Sequence, residues 1–369
     1  MHRSVLKAFA AERIISPGEN MRNFIRLAVL LFLGSVLCFA QGSKTQKKTD
    51  DNQTIRVAVE MVSLPVVVTD RDGKRITDLK KEDFQVFEDG VIQQIAGFGA
   101  TDEPISVALA LDCSGSTEQK LAMIQNAAIE FVNRLHPDDS VAILSFASDV
   151  NLLEDFSIDR DKNAYGIKET RPGGWTVLYE AVWLALEEVL KPVQERKALV
   201  LFTDGVDTAS RKASEKETLE QAKETYATIY SVYYNTEPDM YAGRSQPTVG
   251  GYPVPGGGYP YPRTRGPIYS PGGPGSTTGE YMQGRAYLQK LAEYSGGVVV
   301  DALQMQDLGA AFERIATELA SQYSIGYYPT NSAHDGKFRK VEVKVTRPGL
   351  IARTKKGYNA PKPDSKKKK

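Results

Sequence analysis

The chain has 369 residues, 41% of them hydrophobic and 25% charged, enough for one large core or two modest ones. Lys and Arg total 46, and so do Asp and Glu, so no basic field argues for a nucleic-acid partner. Three His and two Cys leave almost no material for a zinc cluster, a Cys/His dyad or a disulfide framework.

Residues 1–40 read as a secretory signal. The apolar run at residues 27–40 (LAVLLFLGSVLCFA) follows Arg22 and Arg26 and is shorter than the roughly 20 residues of a membrane span. Cleavage is expected after Ala40, with Met21 as the expected initiator; an uncleaved anchor is the alternative. The mature chain then keeps only Cys113, has no membrane span, and is destined for the periplasm, the cell surface or the medium.

Residues 41–53 are a polar linker. From Ile55 the chain alternates, with Ile55, Val57, Val59, Met61 and Ser63 on one parity, the period of a strand. Asp70-Arg71-Asp72-Gly73 supplies turn chemistry, and short strands are expected at 84–87 and 92–98. Residues 54–103 therefore form a small β segment.

Residues 104–321 alternate strand and helix. Apolar runs at 106–111, 141–146, 198–202, 229–234 and 298–300 suit strands buried on both faces. Helical spacing occurs at 121–135 (Leu121, Ile124, Ala128, Phe131, Val132, Leu135) and at 177–190 (Leu178, Ala181, Val182, Ala185, Val189). Further helices are expected at 214–225, 286–294 and 308–319. The pattern predicts an α/β fold, a doubly wound, mostly parallel, Rossmann-like sheet with helices on both faces.

Within it, residues 238–278 hold nineteen Gly or Pro and five Tyr, too little apolar mass to repay ordering. They read as a surface insertion, with a Tyr-rich interaction loop as the alternative. Strand alternation returns in the C-terminal β segment, residues 322–358, at 323–328, 340–346 and 351–354. Three strands alone are marginal, so the two β segments are expected to pair as one split β domain into which the α/β unit is inserted. Residues 359–369 are a solvated Lys-rich tail.

Asp112-Cys113-Ser114-Gly115-Ser116 directly follows the first buried strand, at the edge where open α/β sheets bind ligands. One carboxylate and two hydroxyls are hard oxygen donors, the type Mg²⁺ and Ca²⁺ prefer. Gly173-Gly174-Trp175-Thr176 precedes a helix, and Thr203-Asp204-Gly205-Val206-Asp207 follows the strand at 198–202. Three loops thus offer Asp112, Ser114, Ser116, Thr176 and Asp204 to one point. Each has a plainer role: Asp112 and Ser114 as turn-stabilisers, Thr176 as a helix cap. Asp207 reads as loop-stabilising, Cys113 as a small buried residue, and Trp175 as either rim or local packing.

These residues resemble the metal-ion-dependent adhesion site of a von Willebrand factor A domain over about residues 104–321. The flanks, VTDRDG with KKEDFQVFEDG and YSIGYYP with DGKFRKVEVKV, resemble a bacterial, Acidobacteria-type group of such proteins. The resemblance implies direct coordination by Ser114 and Ser116, joined by Thr176 in the ligand-competent state, with Asp112 and Asp204 acting largely through waters. Mg²⁺ is the implied cation, with Ca²⁺ or Mn²⁺ as alternatives.

The function expected is that of an exported, non-catalytic adhesion or scaffold protein, binding a protein ligand through that ligand's Asp or Glu. The alternative is an envelope-assembly or secretion accessory in which domain and metal are structural. A metal-dependent hydrolase is the remote third. His136 and His334 fall away from the motif in sequence, and no phosphate loop occurs.

Overall fold

The computed structural model describes residues 61–194, 196–234, 277–302, 304 and 307–362, all within the compact unit Ala58–Lys369. The expected signal, the linker, residues 54–60, loop residues 238–276 and the tail from 363 lie outside the described residues.

Five strands form the parallel part of the central sheet: β5 (Ile105–Asp112), β6 (Ser140–Phe146), β8 (Arg196–Thr203), β9 (Thr228–Tyr234) and β10 (Val299–Ala302). An antiparallel strand, β7 (Val150–Ser157), completes the order β10-β9-β8-β5-β6-β7. Both faces of β5 are buried. Val107, Leu109 and Leu111 pack with α1 (Leu121–Arg134), α2 (Arg160–Lys168) and α6 (Leu308–Ala320). Ala108 and Ala110 face α3 (Leu178–Leu184), α4 (Glu215–Glu224) and α5 (Thr278–Ser295). The expected doubly wound sheet is present, and strand order reverses at β5, the place where such sheets open a ligand crevice.

Some local expectations change. The helix from Leu178 passes into a π-helical turn, Ala185–Leu190. The wider turn rotates its last residues, so Leu186 and Leu190 are buried and Val189 is only partly so. β7 and α2 were not anticipated. Of the nine residues of α2 only Asn163, Gly166 and Ile167 are buried, too few to write a hydrophobic stripe.

The flanking strands make two four-stranded antiparallel sheets, each of which draws strands from both ends of the chain. One has the order β13-β1-β11-β4, from Ile351–Arg353, Val62–Thr69, Gln322–Tyr327 and Ile95–Gly99. The other is β14-β12-β2-β3, from Gly357–Asn359, Phe338–Val345, Phe84–Glu88 and Val91–Gln93. They share one core, in which Leu64, Val66, Tyr323 and Ile325 meet Phe84, Val86, Val341 and Val343. In β1 the inward residues are Val62, Leu64, Val66 and Val68, while Met61 is 43% exposed. The alternation itself does not say which parity meets the second sheet, and the structure assigns the core to the even-numbered residues.

Cationic side chains lock the β sheets to the base of the α/β unit. Arg75 and Arg353 both pair with the buried Glu318 at the end of α6. Arg196 donates to the carbonyls of Thr101 and Glu103 and to that of Leu319 at 3.0 Å, so one guanidinium ties both crossings between the parts. Lys355, 1% exposed, donates to the carbonyls of Lys223 (2.9 Å) and Thr225 (2.8 Å) at the end of α4.

Burial pushes the Lys355 ammonium down to about 7, against the pull of Glu224. Between pH 7 and the ordinary lysine value the unfolded chain therefore holds one more proton than the folded chain, and stability rises with pH. Below pH 7 the buried charge is carried and its full cost is present. Lys355→Met is expected to flatten the rise between pH 7 and 9 in urea unfolding; an unchanged slope would assign it to other groups.

Candidate metal centre

Three chain segments meet at the carboxyl edge of the parallel strands. Asp112 ends β5 and is fully buried. Its Oδ1 accepts the Ser114 N–H at 3.0 Å, and its Oδ2 accepts the Thr203 hydroxyl at 2.7 Å. Thr203 ends β8, and its Oγ1 also accepts the Gly205 N–H at 3.0 Å. The Thr203 hydroxyl thus joins the first acid to the turn that carries the second. It was not singled out from sequence, although a lone polar residue closing the apolar run ALVLF is the signal that could have found it.

Asp204 is 4% exposed, and its Oδ1 accepts the Val206 N–H at 3.1 Å. The turn needs a left-handed Gly205 (φ 81°), which lies against the backbone of Gly284 in α5. Ser114 is 2% exposed, and its carbonyl accepts from both the N–H and the hydroxyl of Thr117. Ser116 lies in the 3₁₀ turn Gly115–Lys120.

Backbone hydrogen bonds stitch the segments together. Gly173 N–H donates to the Cys113 carbonyl at 2.7 Å, and Gly115 N–H to the Gly174 carbonyl at 3.2 Å. On the other side, the Thr176 carbonyl accepts from the N–H groups of Thr208 (2.9 Å) and Ala209 (3.1 Å), while Thr176 N–H donates to the Thr208 hydroxyl. Thr176 itself is 7% exposed. It does not cap the following helix: Asp207 Oδ1 accepts the Tyr179 N–H and Ser210 Oγ accepts the Glu180 N–H. Asp207 is therefore the loop-stabilising acid.

The electrostatics of this edge are adverse as they stand. Burial, then the nearby Asp204 charge, pushes the Asp112 carboxyl well above the ordinary carboxylate range, against the hydrogen bonds from Ser114 and Thr203. Two buried acids that oppose each other's ionisation, set among hydroxyls, are chemically suited to a hard dication. Among the described residues no group of three or more His, Cys, Asp or Glu could hold a metal. Cys113 is 1% exposed, and its thiol is pushed up to about 12 by burial and Asp112, unfit for a nucleophile. His136 precedes β6 at the opposite end of the sheet, about 23 Å along the strands. His334 lies between β11 and β12, outside the α/β unit.

Residues 107–206, from β5 to the Asp204 turn, match the model of the von Willebrand factor type A domain. Over those residues the chain is similar to von Willebrand factor type A domains. An uncharacterized protein of Synechocystis sp. is 28% identical over 106 residues, 28% of this chain and 25% of that protein. The match thus spans about a quarter of that relative's length. BatB from Bacteroides thetaiotaomicron is 21% identical over 58% of this chain and 97% of its own, with a TM-score of 0.40. A von Willebrand factor type A protein from Catenulispora acidiphila is 12% identical, covering 77% and 74%, with a TM-score of 0.44. Proximal thread matrix protein 1 of the mussel byssus, with zinc in its MIDAS motif, is 16% identical, covering 62% and 48%, with a TM-score of 0.41. The central sheet and its flanking helices continue beyond the matched residues through β9, α5, β10 and α6.

Proposed function

We propose that this is an exported, non-catalytic binding protein whose A domain holds a divalent cation and uses it to grip a carboxylate of a protein partner. The observation that carries this is the pair of buried acids, Asp112 and Asp204, facing one another's charge where three stitched turns meet. Asp112, Ser114, Ser116, Thr176 and Asp204 are the residues proposed to hold the cation. Mg²⁺ suits a donor set with few carboxylates, and Ca²⁺ or Mn²⁺ are the alternatives. A bound dication would supply an electrophilic point at which an Asp or Glu of the partner docks. The chain's own part is to keep the acids and hydroxyls in place: Thr203 fixes Asp112, and the Thr176 carbonyl anchors the loop after Asp204.

Export rests on the apolar run at residues 27–40; among the described residues no helix is long and apolar enough to cross a membrane. The periplasm, the cell surface and the medium are all compatible destinations.

The test is capture of an envelope partner on the immobilised chain in Mg²⁺, followed by chelator elution. Elution by EDTA, and no capture by Asp112→Ala, are the expected results. Retention that ignores both would end the proposal. A second reading, an envelope-assembly or secretion accessory with a structural metal, draws on the same burial of the acids. It requires EDTA to lower the melting temperature substantially, whereas carboxylate bridging requires binding to vanish with modest loss of stability.

A further inference from the structure

Trp175 closes the exposed loop that runs into the site. Val177 and Thr176 beside it are 3% and 7% exposed, while the indole of Trp175 stands 56% exposed. It does so on a segment with little freedom to turn it inward. Its own N–H is held by the Ser148 hydroxyl at 3.2 Å. Gly174 on one side accepts from Gly115, and Thr176 on the other accepts from Thr208 and Ala209. Gly173 is pressed so closely on the loop after β6 that a Cβ there would come within 2.3 Å of the Ala147 Cβ. The residue is thus a large aromatic surface carried on a fixed backbone, one position from the Thr176 proposed to hold the cation.

From this geometry we infer that Trp175 selects the partner: the segment that docks here carries a bulky apolar or aromatic side chain one or two residues from its acid. The inference rests on the carboxylate reading above and names the chemistry of what that site accepts. An extended peptide advances about 3.3 Å per residue, so a side chain one or two positions from a docked acid lies about 3 to 7 Å along. The Cα atoms of Thr176 and Trp175 are about 3.8 Å apart, so a partner docked at Thr176 has the residue that bears the indole as its immediate neighbour. An indole that keeps its shape when free loses little on binding, and tryptophan is among the residues that most often dominate interfaces. The indole N–H, distinct from the backbone N–H held by Ser148, adds a donor for a partner carbonyl.

The probes are three blocked six-residue glycine peptides: one with a single aspartate, and two with phenylalanine one or two residues after that aspartate. In Mg²⁺ the chain is expected to bind at least one phenylalanine peptide about tenfold or more tighter than the plain one. Trp175→Ala should bind all three as weakly as the wild type binds the plain peptide, with Mg²⁺ affinity unchanged. The chain has two tryptophans, Trp175 and Trp183, so in Trp183→Phe the emission reports Trp175 alone and should shift with the phenylalanine peptides. Equal, Mg²⁺-dependent binding of all three peptides would overturn the role of Trp175 and leave the carboxylate reading standing. Absence of Mg²⁺-dependent binding by any of them would overturn both.

Discussion

Asp204→Asn is expected to weaken Mg²⁺ binding by roughly 100-fold while leaving the metal-free protein as stable as before, or more stable by about 1 kcal/mol. The two effects have one cause. The amide keeps an oxygen for the Val206 N–H, so the turn after β8 is preserved. It removes the charge that helps push the Asp112 carboxyl upward, which relieves the folded apo state near neutral pH. It also removes half of the negative charge that would compensate a dication. Melting curves of wild type and variant, each with MgCl₂ and with EDTA, separate these terms. A variant that melts lower without metal yet keeps its Mg²⁺ response would reduce Asp204 to a loop-holding role.

Gly284→Ala should damage the same site from outside it. A Cβ on residue 284 would fall 2.4 Å from the Gly205 carbonyl oxygen, and both atoms belong to or abut backbone that cannot rotate away. Gly205 has no slack either, because its φ of 81° is already one that a side chain tolerates badly. Relief requires α5 to move out or the Asp204 turn to move in. The expected cost is about 2 to 4 kcal/mol of stability by denaturant unfolding, with loss of Mg²⁺-dependent binding at temperatures where the variant stays folded. Gly279→Ala, in the first turn of the same helix with only the Thr277 hydroxyl near its position at 3.9 Å, is the control and should be neutral or slightly stabilising. If Gly284→Ala keeps full metal-dependent binding, the helix does not position Asp204.

The parts of this arrangement that depend on local pattern were legible in the sequence. Buried parallel strands write continuous apolar runs, so the ends of β5 and β8, and with them Asp112 and Asp204, could be placed from composition alone. The pairing of the two β segments followed from the instability of either set by itself. What escaped was set by distant neighbours. No local signal says that Thr203 will meet Asp112, or that Gly284 will lie on Gly205, because each contact joins segments far apart in the chain. The π turn that swaps Val189 for Leu190 is a register shift inside an otherwise ordinary helix. The three residues of β14 are too short to show a period. Ser114, Thr176 and Asp204 were each weak in isolation, and only their common edge joins them in the proposed site.

The α/β unit separates, along the chain, β strands that pair in the folded protein. The N–H of Leu79 and the Tyr323 hydroxyl, bonded at 3.0 Å, are 244 residues apart in the chain. Until the α/β unit folds, β2 and β3 can pair with each other, but β1, β4 and the free edge of β2 are held far along the chain from their partners β11 and β12. Once it folds, Arg196 draws the two crossings together, and a closure spanning hundreds of residues becomes one between neighbours. The β sheets are therefore expected to close after the α/β unit they enclose, an order that pulse-labelled hydrogen exchange during refolding would check.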